Sequence, residues 1–96
     1  MRNYELMVIV DPTVDENTVA PMMDKYLQQV TAAEGSVDNV DIWGKRRLAY
    51  DINKRSEGIY VVVTMTTTPA VAQEITRQMS INETILRTKL LRPDAH

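Results

Sequence analysis

The sequence predicts an α+β domain of the ferredoxin-like split β-α-β kind, a four-stranded antiparallel sheet with two helices on one face. Three observations predict it. Four segments carry apolar residues at strand spacing, two carry them at helical spacing, and their order along the chain is β-α-β-β-α-β. A chain of 96 residues has room for one such domain, residues 1–96, with a modest core.

Tyr4 to Val10 reads as the first strand. Leu6, Val8 and Val10 share one face and are expected under the helices; Glu5, Met7 and Ile9 share the other. Asp11-Pro12 ends it, because proline has no ladder donor. Asp15 is the expected N-cap of a helix to about Glu34, with Val19, Met22, Met23, Tyr26, Leu27 and Val30 as its apolar stripe and Gly35 as its C-cap. Pro21 either marks the start of the regular helix or kinks it after an irregular first turn. Val37 to Ile52 is a long extended segment in which Gly44-Lys45-Arg46-Arg47 interrupts the apolar pattern, so a bulge is expected near Gly44. Asn53 to Gly58 is a polar turn, and Ile59 to Thr68, dense in β-branched residues, is the returning strand of a hairpin. Thr68 and Pro69 suit the N-cap and first position of a second helix, whose stripe is Val71, Ala72, Ile75 and Met79 and whose end lies near Asn82. Ile85 to Arg92 is the last strand. Arg87 and Lys89 then join Glu5, Met7 and Ile9, with Tyr60 and Thr64, on the sheet face that no helix covers.

Composition excludes several kinds of chemistry. Without cysteine there is neither a disulfide nor a thiolate metal site, so an iron–sulfur ferredoxin is ruled out. The only histidine is the last residue, His96, and no cofactor is expected. The opening MRNYELMVIVDP is short and alternating, which is a strand pattern and not a signal peptide; with no long apolar run, a cytoplasmic protein is expected. An enzyme finds little support. Arg2 and Asn3 precede the first strand and form no phosphate-cradling loop, and Asp38 and Asp41 read as a solvated strand edge. A self-associating sensor or regulatory module, helped by six adaptable methionines, is the alternative reading, although no ligand motif accompanies it.

The net charge alone argues weakly against nucleic acid, but its distribution says more. The net charge is −2, but residues 1–42 carry −6, residues 43–58 carry +3 and residues 59–96 carry +1. Phosphate binding responds to a local basic face more than to the total. Lys45, Arg46, Arg47, Lys54, Arg55, Arg2, Arg87, Lys89 and Arg92 place cations at strand ends and loops, as backbone-positioning contacts require. Base reading by stacked aromatics is not expected. Glu57 to Thr64 has the glycine and one aromatic, Tyr60, of that motif, but lacks its leading cation and other rings.

These residues carry a resemblance. Met1-Arg2-Asn3-Tyr4-Glu5 is similar to the opening of bacterial small-subunit ribosomal protein six. Trp43 to Lys54 resembles that family's most characteristic stretch, a glycine, a basic cluster, Leu-Ala-Tyr and Ile-x-Lys in this spacing. Gly58-Ile59-Tyr60 and Ile81 to Arg87 continue the likeness, which covers residues 1–92. It implies the fold derived above, and no enzymatic activity. It also implies binding to the central domain of small-subunit ribosomal RNA, as a heterodimer with small-subunit ribosomal protein eighteen, during assembly and translation. Carried over, Arg2, Lys54, Arg87 and Arg92 become candidate RNA or partner contacts. Tyr4, Glu5, Trp43, Arg46, Arg47 and Tyr50 become candidates for the same joint surface, beside the cations Lys45 and Lys89. The chain departs from the family at Asp51, where proline is common, at Pro21, and in lacking the long acidic tail of some members, with which any tail-dependent modification would be absent.

Overall fold

The computed structural model describes residues 1–92, so His96 lies outside the described residues. Strand β1 spans Arg2–Val10, helix α1 Val19–Ala32, β2 Ser36–Ile52, β3 Arg55–Thr67, α2 Pro69–Ser80 and β4 Ile85–Leu91. The sheet order is β2-β3-β1-β4, and every neighbouring pair is antiparallel. The hydrophobic pattern sets the register. Leu6 pairs with Val63 and Leu90, and Val8 with Val61 and Thr88, so the buried side of both central strands is continuous. It packs against Val19, Met23, Leu27 and Val30 of α1 and Ala72, Ile75 and Met79 of α2. The expected β-α-β-β-α-β layout and the parity of β1 are both observed.

Local chemistry explains the boundaries. The Asp15 carboxylate accepts from Asn17 N at 2.9 Å, but the turn it caps, Glu16–Thr18, is 3-10; the α-helix proper begins at Val19. Pro21 therefore sits in the first helical turn, where an N–H has no acceptor within the helix, and it marks the start without a kink. Thr68 caps α2 through Val71 N at 3.3 Å, with Pro69 next, as expected. The end of α1 differs from expectation. Ala33, not Gly35, is its C-cap, and Glu34 takes the left-handed conformation at φ 66°. Gly35 N donates to Val30 O and Glu34 N to Thr31 O, which is a Schellman closure with glutamate in the strained position. Gly35 is needed for a different reason: a Cβ there would lie 2.4 Å from the backbone oxygen of Thr66 on β3.

The two helices are joined by an amide pair. Gln29 Nε2 donates to Gln78 Oε1 at 2.7 Å, and Gln78 Nε2 returns the bond at 3.2 Å. Asn82 fixes the α2–β4 turn by donating to the Tyr26 hydroxyl at 2.9 Å and accepting from Thr84 N at 2.9 Å. Among the described residues, one buried side-chain polar atom finds no partner, the Thr67 hydroxyl oxygen, on a fully buried residue. Thr67→Val keeps the shape and removes the unsatisfied hydroxyl. We expect it to raise stability by about 1–2 kcal/mol; a denaturant melt with an unchanged or lower midpoint would contradict this.

Candidate nucleic-acid and partner interface

Strand β1 pairs with β3 only from Ile59 onward, so the far part of the β2–β3 hairpin projects beyond the four-stranded body as a two-stranded arm. Two irregularities shape it. The first is at Gly44, whose φ of 82° suits glycine; the register shifts there, leaving Trp43 as the extra residue of the expected bulge. The second lies farther out, where β2 advances from Arg47 to Ile52 while β3 moves only from Glu57 to Arg55. The surplus on β2 bends the arm. The turn itself is shorter than expected. Only Asn53 and Lys54 lie outside the strands, both at positive φ (50° and 66°), as a two-residue type I′ hairpin requires.

The bend folds the arm toward the helix-free face. Tyr50 belongs to edge strand β2, yet its hydroxyl accepts a hydrogen bond from Arg87 Nη1 on β4, the opposite edge. Leu48 is 9% exposed, although it lies outside the main core cluster. Trp43 stacks on Tyr60 with ring centroids 6.1 Å apart and planes within 7°, and its Nε1 donates to Asp41 at 2.9 Å. Between arm and sheet lies a half-open concavity of about 290 Å³. Met7, Ile9 and Tyr60 form its floor, and Tyr50, Arg87 and Lys89 its rim.

The cations occupy four places in the fold. Lys45 pairs with Ile59, Arg46 with Gly58 and Arg47 with Glu57, so strand alternation puts Arg46 on the open-face side and its two neighbours on the other. With Lys54 at the turn, the arm is cationic on both sides. These four side chains are exposed and form no ion pair among the described residues. Arg55 differs: its guanidinium lies 3.4 Å from Asp11, at the end of β1. Arg87 and Lys89 run along β4 beside Ile9 and Met7, and Glu5 lies next to Thr64 and Leu91 on the same face. Arg2 and Arg92 are exposed at the other end of the sheet, so they do not join the arm cluster.

Tyr4 is corrected. Even-numbered positions of β1 point under the helices, and Tyr4 is only 5% exposed, within the core cluster, which leaves it almost no surface to offer a partner. Sequence reading also placed Met7, Ile9 and Tyr60 on the open face without assigning them to a site. The signal available was their shared parity across the two central strands.

Asp11 is the titrating anchor of this region. Hydrogen bonds from Thr13 N (2.9 Å) and the Thr13 hydroxyl (2.7 Å), and then the charge of Arg55, hold its carboxyl below the ordinary 3.8. A carboxyl lowered in the folded state contributes stability that is complete above its unfolded pKa and is lost as pH falls through the folded one. We therefore expect Asp11→Asn to destabilise the protein at neutral pH and to flatten its stability profile below about pH 4. Acid melts of the two proteins that run parallel below that pH would contradict the assignment.

The family model described as ribosomal protein S6 matches residues 3–92. A protein of Beutenbergia cavernae described as small ribosomal subunit protein bS6 is 68% identical over 96 residues, covering all of both chains. The corresponding protein of Cutibacterium acnes is 59% identical, again over the whole of both. The crystal structure of 30S ribosomal protein S6 from Thermotoga maritima superposes with a TM-score of 0.84 at 28% identity, covering 95% of this chain and 86% of that one. The C-terminal domain of MgtC from Mycobacterium tuberculosis has a TM-score of 0.67 at 11% identity, over 98% of this chain and 89% of that one; this likeness shows a shared fold alone. With the match running through both the cationic arm and the sheet that carries it, the chain belongs to the ribosomal protein S6 family.

Proposed function

We propose that this protein binds the central domain of small-subunit ribosomal RNA together with small-subunit ribosomal protein eighteen. As an S6-family member it is a structural constituent of the small ribosomal subunit and not an enzyme. One observation carries the finer reading: an exposed arm bearing Lys45, Arg46, Arg47 and Lys54, with no ion pair among the described residues, flanks an uncovered sheet face. Cations held on a bent ribbon can follow a phosphate backbone without reading bases. The face beside them is mixed apolar and cationic, with Trp43 43% and Tyr50 62% exposed, the composition that a protein partner covers. Neither surface is large, so joint binding gives more contact than either alone. The acidic balance of residues 1–42 complements a basic partner.

The variant Arg46→Ala/Arg47→Ala tests this reading. Both side chains are exposed and unpaired among the described residues, so the fold and melting midpoint should hold. Affinity for the RNA with the partner present should fall by about tenfold or more, and the slope of log affinity against log salt should shrink by about 2. Wild-type affinity at fixed salt would overturn the assignment of the arm to RNA.

A further inference from the structure

We propose that Arg87 and Tyr50 are a positioning pair: the guanidinium on β4 holds the arm down over the open face, and the cations of the arm take their places because of it. This rests on the reading of the arm as a binding element, but it concerns the free protein.

A two-stranded ribbon is marginal in water unless something packs against it. Among the described residues, three tethers connect this one to the body. At its root, Gly58 crosses β1 so closely that a Cβ would lie 2.4 Å from Ile9 Cγ2 and 3.6 Å from Leu48 Cδ2, which seats the Leu48 side chain by Ile9. On the β3 side, Arg55 pairs with Asp11 at 3.4 Å, but the Arg55 side chain is 44% exposed and the pair is correspondingly weak. Farther out on β2, Arg87 donates to the Tyr50 hydroxyl.

The third tether differs from the others in reach. It spans from one edge of the sheet to the other, over β3 and β1, and it closes the rim of the concavity. It is possible only because of the surplus of residues on β2 between Arg47 and Ile52, which turns Tyr50 inward. Arg46 and Arg47 lie at the near end of that bent segment and Lys54 beyond its far end. Releasing Tyr50 therefore frees the segment that sets where these three cations stand. Arg87 then acts mainly through Tyr50, and not chiefly as one more phosphate contact.

Amide hydrogen exchange on the free protein tests this directly. Tyr50→Phe removes the acceptor oxygen without altering charge, and Arg87→Gln removes the guanidinium. In each, amides of residues 46–58 should exchange about tenfold faster, while those of Leu6 and Val8 stay protected. The double variant should add little to either single one. Joint affinity for RNA and partner should fall to a similar extent in both single variants, and Tyr50→Phe should leave the salt slope as it was. Arm protection in Tyr50→Phe equal to wild type would overturn the proposal. So would an affinity loss confined to Arg87→Gln, since Arg87 would then be a direct contact. The exchange result does not depend on RNA, so failure of wild type to bind would count against the proposed function alone.

Discussion

Replacing Leu6 with alanine is expected to cost about 3–5 kcal/mol of stability. Leu6 is 0% exposed and lies on β1, a central strand flanked by β3 and β4. Val63 and Leu90 stand opposite it, and both helices close the core above that face. Neighbours held on two ladders cannot collapse into the space, so the lost transfer free energy adds to a residual cavity. A domain of this size has a total stability of only about 5–15 kcal/mol, so the variant should melt roughly 10–30 °C lower. Met7→Ala is the control. Met7 is one position along on the open face and half-buried, and its truncation should cost about 1 kcal/mol or less. Equal losses for the two variants would mean that the parity of β1 is wrong.

Gly35→Ala should be the next most damaging change, at about 3 kcal/mol or more. The atom that a new Cβ meets at 2.4 Å is the Thr66 carbonyl oxygen, part of β3, and Val30 Cγ1 follows at 3.0 Å. A backbone carbonyl cannot rotate out of the way without disturbing the ladder. α1 and β2 would have to move apart from β3 at the point where the chain passes between them. A glycine serving only as a helix cap predicts a smaller loss, about 1–2 kcal/mol for one left-handed residue. A loss in that range, by chemical denaturation, would mean that β3 yields to the new Cβ and that the close approach to Thr66 O does not require glycine.

These two residues also show what the sequence made legible. Leu6, Val8 and Val10 announced their burial through simple alternation, and the same alternation put Arg87, Lys89, Met7 and Tyr60 on the open face. Thr68-Pro69 and the bulge at Gly44 were equally readable, because backbone chemistry at one or two residues decides them. Gly35 was misread because a helix end and a strand crossing both call for glycine, and only the packing separates them. Tyr4 was assigned to the surface by its place in a family motif, although its own parity with Leu6 pointed inward. The arm's bend was not legible. It depends on a surplus of residues between two paired positions, which appears only once β2 and β3 are in register. Arg87 and Tyr50, 37 positions apart, meet because of that bend.

The proposed joint surface for ribosomal RNA, formed with small-subunit ribosomal protein eighteen, is open to direct test. The most direct measurement is a titration of the intact protein onto a central-domain fragment of small-subunit ribosomal RNA, with and without small-subunit ribosomal protein eighteen, at two salt concentrations. Tight binding that appears only with the partner, and that weakens steeply as salt rises, is the predicted result. Absence of binding with the partner present, or binding indifferent to both partner and salt, would contradict it.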